Sequence, residues 1–427
     1  MVTHGLGSKA GAGRFAGRMA TRASVRPRNC AVYAESVTLA TQPRARAKRR
    51  RRAPAAAAAA DAIVHDDVNM AAAALLYDMA ALQPTERSQF GYKRAAKAII
   101  GLPVSVSDLV AAGTLRDVEF VGPASARIIT EVVQQGRSPS VEQAIAKSAR
   151  PSEVTSRRGF RSAYLSHFAM QRALAAPLGK SIVTRAEYRG DFQMHSTWSD
   201  GGETLATLAA ACLERGHSCL GITDHSYGLP IARGISMTQA EAQHHEIDQL
   251  NATLRGQFRV FKGIEANILA DGNLDLQPNE RSVFEFVVAS PHSLLRRPED
   301  QTARMLAAVQ APGVAILGHP RGRVFNSRPG VKADWLRVFE AAAKQRVAIE
   351  LDGNWHRQDI DFELARHARD AGCIFALDSD AHSVAELRFS DYAIAHARLA
   401  GIPASEVINC WSNEQIEEWM QECRARS

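Results

Sequence analysis

The second half of the chain repeats one pattern: a short apolar run that stops on a His, Asp or Glu, followed by a stretch with helical periodicity. Seven such runs occur, at 191–195 (DFQMH), 220–225 (LGITDH), 260–265 (VFKGIE), 286–292 (FVVASPH), 315–319 (AILGH), 347–352 (VAIELD) and 374–382 (IFALDSDAH). Runs of this length with helices between them predict the parallel strands of a β/α barrel, in which functional side chains gather at the C-terminal ends of strands. The intervening helices are expected at 203–215, 238–254, 298–309, 334–345, 362–371 and 383–399. Six of the seven runs end in a His or Glu able to ligate metal, although the chain has only 14 His. A ring of imidazoles and carboxylates facing one cavity is a metal site.

Before the barrel, expected at 188–427, the periodicity is helical. Helices are expected at 68–81, 90–100 and 106–112, within a small all-α domain at 66–150. In 115–136 (LRDVEFVGPASARIITEVVQQG) an apolar helix meets Val121, Gly122, Pro123 and Ala124, and a second helix begins. That is the grammar of a helix-hairpin-helix, in which Gly122 permits the tight turn and free amides at the next helix start can face a phosphate. Ala124 stands where a second Gly is common, and an ordinary helical turn is the competing reading. The YKRAAK stretch places Lys93, Arg94 and Lys97 as candidate phosphate contacts, against a solvated helix face as the plainer role. Residues 151–187 read as a connector with one helix at 154–175.

Charge divides the chain. Residues 1–52 hold 13 Lys+Arg against Glu35 alone, a balance of +12, so the remainder carries 39 basic and 44 acidic side chains, or −5. The acidic body suits a metal enzyme better than a general polyanion binder. Residues 1–65 read as a disordered basic and Ala-rich tail, with a nucleic-acid arm or an organelle transit segment as alternatives. The six cysteines include no C-x-x-C pair, which points to a reducing cytosol, and no apolar stretch approaches the ~20 residues of a membrane span. A cytoplasmic location without membrane partners is expected.

Within the first run, residues 193 and 195 share one strand face, and Asp380 with His382 repeats that spacing. The segments GDFQMHSTWSDG, GITDHSYGLPIARGIS, GIEANILADGNLD, VVASPH, LGHPRGR and DSDAHS resemble the PHP (polymerase and histidinol phosphatase) domain, most closely the version at the C-terminus of bacterial family X DNA polymerases. Residues 66–136 resemble the N-terminal helix-hairpin-helix domain of the same polymerases. The resemblance implies a distorted seven-stranded β/α barrel around a trinuclear centre. Gln193, His195, Glu265 and Asp380 would surround the first metal, and Glu265 would bridge to a second held by His292 and His319. Asp200, His225 and His382 would hold a third. Such a centre hydrolyses phosphoesters, with His195, Glu265, His292, His319 and Asp380 at its catalytic core, and two to three Mn, Zn or Fe ions suit the donor set.

Two residues depart from the family. Gln193 replaces the usual first His, and Asn267 replaces an Asp two residues after the bridging Glu. The paired Asp of a polymerase palm is not found at 151–187, and Asp359-Ile360-Asp361 reads as structural. Arg233, Arg321, Arg323 and Arg357 follow barrel strands closely and are candidates for a substrate phosphate. The sequence therefore predicts a metal-dependent phosphoesterase acting on DNA ends or nucleotides, of the 3′-5′ exonuclease or end-processing type. The alternatives are a small-molecule phosphatase of the histidinol-phosphatase kind, and a DNA-binding regulatory module whose metal centre is impaired by Gln193.

Overall fold

In the computed structural model, which describes residues 55–426, the apolar runs form one parallel sheet and the periodic stretches pack around it. The helical part comprises α1 (Ala55–His65), α2 (Val68–Leu82), α3 (Glu86–Ile100), α4 (Val106–Ala111), α5 (Pro123–Gln135), α6 (Pro139–Lys147), α7 (Pro151–Gly159) and α8 (His167–Ala175). The sheet part follows as α9 (Leu205–Glu214), β1 (Cys219–Ile222), α10 (Met237–Thr253), β2 (Arg259–Asn267), α11 (Pro278–Arg281), β3 (Phe286–Ser290), α12 (Thr302–Gln310), β4 (Val314–Leu317), α13 (Trp335–Gln345), β5 (Ala348–Asp352), α14 (Phe362–Asp370), β6 (Phe375–Asp378), α15 (Ser390–Ala400) and α16 (Asn413–Ala425).

The strands pair in the order β1-β2-β3-β4-β5-β6, all parallel. Every residue of β1, β3, β4, β5 and β6 is buried, which is why they read as unbroken apolar runs rather than alternating ones. Inside the sheet, Phe192, Phe261 and Phe286 pack together, with Ile416, Trp419 and Met420 of α16 in the same cluster. The strands approach so closely there that a side chain on Gly263 would overlap the Phe286 ring.

The sheet has six regular strands, one fewer than expected. The first run, 191–195, bends at Phe192 and lies between β1 and the end of β6, and many of its bonds go to side chains. The carbonyls of Asp191 and Met194 accept from Gly221 and Thr223, and the His195 amide donates to Ala381. The Phe192 and Met194 amides instead donate to Asp378 Oδ1 (2.8 Å) and Thr223 Oγ1 (3.0 Å). A regular backbone ladder cannot form where carboxylate and hydroxyl take its place.

Three other expectations change. Ala55–His65, read as part of the tail, is helical, and Ala60 and Ile63 are buried against the core; residues 1–54 lie outside the described residues. The single connector helix is two, α7 and α8, separated by a turn in which Ala163 has a φ of 55°. Ahead of α5 there is only a 3-10 turn at Leu115–Asp117, so the helix that precedes the 121–124 turn is α4.

α2 starts on Asp67, whose carboxylate accepts from the Met70 amide and also from the Ser166 amide and hydroxyl, tying α2 to the start of α8. Asp78 on the same helix is buried against the guanidiniums of Arg158 and Arg161. From the loop after β4, Phe325 enters the helical cluster between Tyr77 and Tyr164, with ring centroids 5.4 and 4.9 Å away. The helical layer and the sheet thus form one compact unit.

Candidate metal centre

Each strand delivers its polar terminus to the same end of the sheet. β1 leads to His225, β2 carries Glu265, β3 leads to His292, β4 to His319 and β6 to Asp380 and His382. The 191–195 segment turns Gln193 and His195 to one side, while Phe192 and Met194 pack into apolar clusters on the other. The next loop brings in Asp200, and a side chain on Gly201 would overlap the His195 carbonyl. Asp224 holds that loop by accepting from Ser196 N (2.8 Å), Ser196 Oγ (2.6 Å) and Ser199 N (3.2 Å).

All nine expected ligands converge, with Glu265 at the centre. Its Oε2 is 2.7 Å from His225 Nδ1 and 3.7 Å from His195 Nε2; its Oε1 is 2.9 Å from His319 Nε2, 3.4 Å from His292 Nε2 and 2.8 Å from Gln193 Nε2. Asp200 Oδ1 lies 3.5 Å from His225 Nε2 and 3.4 Å from His382 Nε2, and His195 Nε2 is 3.3 Å from Asp380 Oδ1. The imidazole of His195 stacks on those of His225 and His382, both at 4.3 Å.

These spacings fit shared cations. Two ligands about 2.1 Å from a tetrahedral ion stand roughly 3.4 Å apart. Two groups of donors are mutually close enough for this: His195, Asp200, His225 and His382, and His225, Glu265 and His292. His195 Nδ1 and Gln193 Oε1 are buried without a hydrogen-bond partner among the described residues.

The donors are electrostatically coupled. Burial opposes the charge on Glu265, but the imidazoles of His225 and His292 outweigh it and hold the carboxyl well below its usual range. Burial also works against protonation of His382, yet Asp200 and Asp380 push its pKa up to about 10, while Asp200 falls to about 2. His382 Nδ1 faces the Asp380 carbonyl at 3.0 Å, which leaves Nε2 for a ligand.

Several supporting residues were not legible as such in the sequence. The Asn267 side-chain oxygen accepts from the His292 amide at 3.3 Å, so this departure from the family pattern still orients a ligand loop. Glu350 accepts from the His319 amide. Arg357 Nη1 is 2.6 Å from Asp380 Oδ2 and 3.5 Å from Asp352 Oδ2; it fixes a ligand carboxylate instead of standing free for a phosphate.

Arg321 and Arg323 are likewise committed, both to Asp361 at 3.0 and 2.9 Å, and buried Arg323 also donates to the carbonyls of Arg357 and Gln358. Asp361 in turn caps α14, which fits the structural reading of the Asp359-Ile360-Asp361 stretch. Arg233 is the exposed one of the four, in the loop after His225.

In the helical layer, exposed Lys93 bonds Gln89, Arg94 stacks 3.4 Å over the Phe120 ring, and Lys97 Nζ lies 5.3 Å over Trp355, a residue of the loop after β5. Gly122 caps α5 with no side chain on its first amides, and Ala124 is exposed beside it.

No family model matches the chain. It is 33% identical over 241 residues to the DNA polymerase/3′-5′ exonuclease PolX of Bacillus subtilis (strain 168), a match covering 56% of this chain and 42% of that protein. The chain carries a PHP domain. It is related to that of the family X polymerases, and the chain spans under half the length of this relative. The PHP domain is also similar to the probable phosphatase YcdX of Escherichia fergusonii, at 27% identity over 234 residues, 52% of this chain and 90% of that protein. Among solved structures, it aligns with the histidinol phosphate phosphatase of Lactococcus lactis in complex with zinc, L-histidinol and phosphate. That alignment has 16% identity and a TM-score of 0.38, covering 49% of this chain and 94% of the other. Among the described residues no helix is long and apolar enough to cross a membrane.

Proposed function

We propose that this protein is a metal-dependent phosphoester hydrolase acting on DNA ends or nucleotides. The observation that carries the reading is the clustering of nine donor side chains, among them Glu265, whose two oxygens face four imidazoles within 3.7 Å. His292, His319 and Glu265 would hold one divalent ion, Asp200, His225 and His382 a second, and Gln193, His195, Glu265 and Asp380 a third. Bound Mn, Zn or Fe would supply Lewis acidity and an activated water for in-line displacement at phosphorus. The chain's own part is to fix the ligands: Arg357 locks the Asp380 carboxylate, Asn267 and Glu350 hold the backbones of His292 and His319, and Asp224 holds the loop carrying Asp200. Arg233, exposed beyond His225, is the candidate for a substrate phosphate.

The DNA part of the reading rests on the α4–α5 hairpin, whose first α5 amides are uncapped, and on similarity to a polymerase that carries an exonuclease. A small-molecule phosphatase is the second reading, favoured by the match of about half of this chain to 90% of the probable phosphatase YcdX. Metal analysis of the purified protein beside a panel of 3′-ended DNA, mononucleotides and histidinol phosphate separates them. Metal-dependent release of nucleotides from DNA is the expected outcome, turnover of histidinol phosphate alone would transfer preference to the second reading, and a metal-free, inert protein would end both.

A further inference from the structure

A cavity of about 320 Å³ lies between the helical layer and the loops after β5 and β6. α3 contributes Lys97, α8 contributes His167, and the sheet side contributes Trp355, Arg388 and Tyr392. Its volume is in the range of small-ligand sites. Its charge is unbalanced: Lys97 and Arg388 have no carboxylate within 4.0 Å among the described residues, whereas Asp391, the cavity's one acid, is already 3.2 Å from Arg185. The Lys97 ammonium lies 5.3 Å over the Trp355 ring, so an aromatic face and a cation meet at one wall. Trp355 is two residues from Arg357, which grips Asp380 at 2.6 Å, and Arg388 follows His382 in the other loop, so the cavity and the metal centre share two loops.

We propose that this cavity binds one nucleotide unit, its phosphate between Lys97 and Arg388 and its base on Trp355. An anionic group joined to a flat ring is what two unpaired cations beside a half-buried indole, whose ring also meets that of His356 at 3.5 Å, select, since every base has a π-face and stacking tolerates sequence. The unit belongs either to a strand end or to a free nucleotide. The assignment rests on the phosphoesterase reading only for its place beside the metal centre.

The test uses the full chain at about 0.15 M salt, so that any contribution of the basic N-terminal residues is common to every variant. Titration calorimetry measures dAMP, a phosphorothioate pentadeoxynucleotide, adenosine and inorganic phosphate, with chromatography verifying that each ligand is intact. Trp355→Ala should weaken dAMP about tenfold while Trp355→Phe stays within about threefold, and Lys97→Gln and Arg388→Gln should each weaken it about fivefold. Adenosine and phosphate alone should bind at least ~10-fold more weakly than dAMP. Tighter binding of the pentanucleotide assigns the unit to a strand end, and tighter dAMP assigns it to a free nucleotide. Equal dAMP affinity in all four variants overturns the proposal. Hydrolysis of p-nitrophenyl phosphate by the unaltered protein reports separately on the phosphoesterase reading, so the two can fail independently.

Discussion

Replacing Glu265 by Gln keeps the shape of the side chain and removes the one charge that faces both ends of the imidazole cluster. The loss can be sized from the geometry: both carboxylate oxygens lie within 3.7 Å of ring nitrogens that would share an ion with them. A unit charge about 4 Å from another interacts by roughly 4 kcal/mol at an effective dielectric of 20. The amide oxygen keeps part of the ligation, so the expected loss is about 100- to 1000-fold in metal affinity, corresponding to roughly 3–4 kcal/mol. The loss should also be selective. Glu265 belongs to the group with His225 and His292, whereas His195, Asp200, His225 and His382 form a group that does not include it. Glu265→Gln should therefore lose metal in part, and Asp200→Asn should lose a complementary fraction. Elemental analysis after dialysis against a graded chelator series measures this, with p-nitrophenyl phosphate turnover as a second readout. Retention of the full metal complement by Glu265→Gln, at the same chelator concentration as the unaltered protein, would refute the assignment of Glu265 as the central ligand.

Three further outcomes are expected. Asp78→Asn leaves the Arg161 guanidinium, whose side chain is 2% exposed, without its counter-charge; urea unfolding should register a loss of about 3–5 kcal/mol, and a loss below about 1 kcal/mol would contradict the buried pair. His396 is buried, takes the Phe362 amide on Nδ1 and meets Gln358 Oε1 at 2.8 Å, and burial drops its pKa to about 3. The unfolded chain then binds a proton between pH ~6.5 and ~3 that the folded chain refuses, so stability is full above that window and falls by about 1.4 kcal/mol per pH unit on acidification through it. Urea midpoints from pH 7 to 4 should show His396→Gln losing one proton's worth of this slope, and parallel curves would disprove the assignment. Gln193→His places a ring nitrogen near the 2.8 Å contact with Glu265, so it should hold metal more tightly under chelator challenge; weaker retention would mean that the amide is the better donor here.

What the sequence made legible follows from where the forces are local. Strands buried on both faces stay apolar throughout, and a ligand at a strand terminus is fixed in space once the strand is, so six of the nine donors could be read from the punctuation, whereas Gln193, Asp200 and Asp380 needed the family resemblance. The first run escaped regularity because its partners are the Asp378 carboxylate and the Thr223 hydroxyl, side chains distant in sequence. That Arg321, Arg323 and Arg357, candidates for a substrate phosphate, are ion-paired within the fold was hidden for the same reason. An Arg beside a strand looks free until the fold brings Asp361 or Asp380 to it. The Ala-rich stretch before residue 66 looked like low complexity, but it buries Ala60 and Ile63 where α1 settles against α8 and α15.

Phe325, held edge-on between Tyr77 and Tyr164, has a consequence for movement. Swinging the helices away from the sheet would pull an aromatic side chain that is 8% exposed out of its slot, at a cost comparable to truncating a core Phe, about 3–5 kcal/mol, and would also separate Asp78 from Arg161 or Arg161 from Asn326. The helical layer is therefore a fixed jig, not a lid: a ligand held in the proposed cavity would be presented to the strand termini at one set distance.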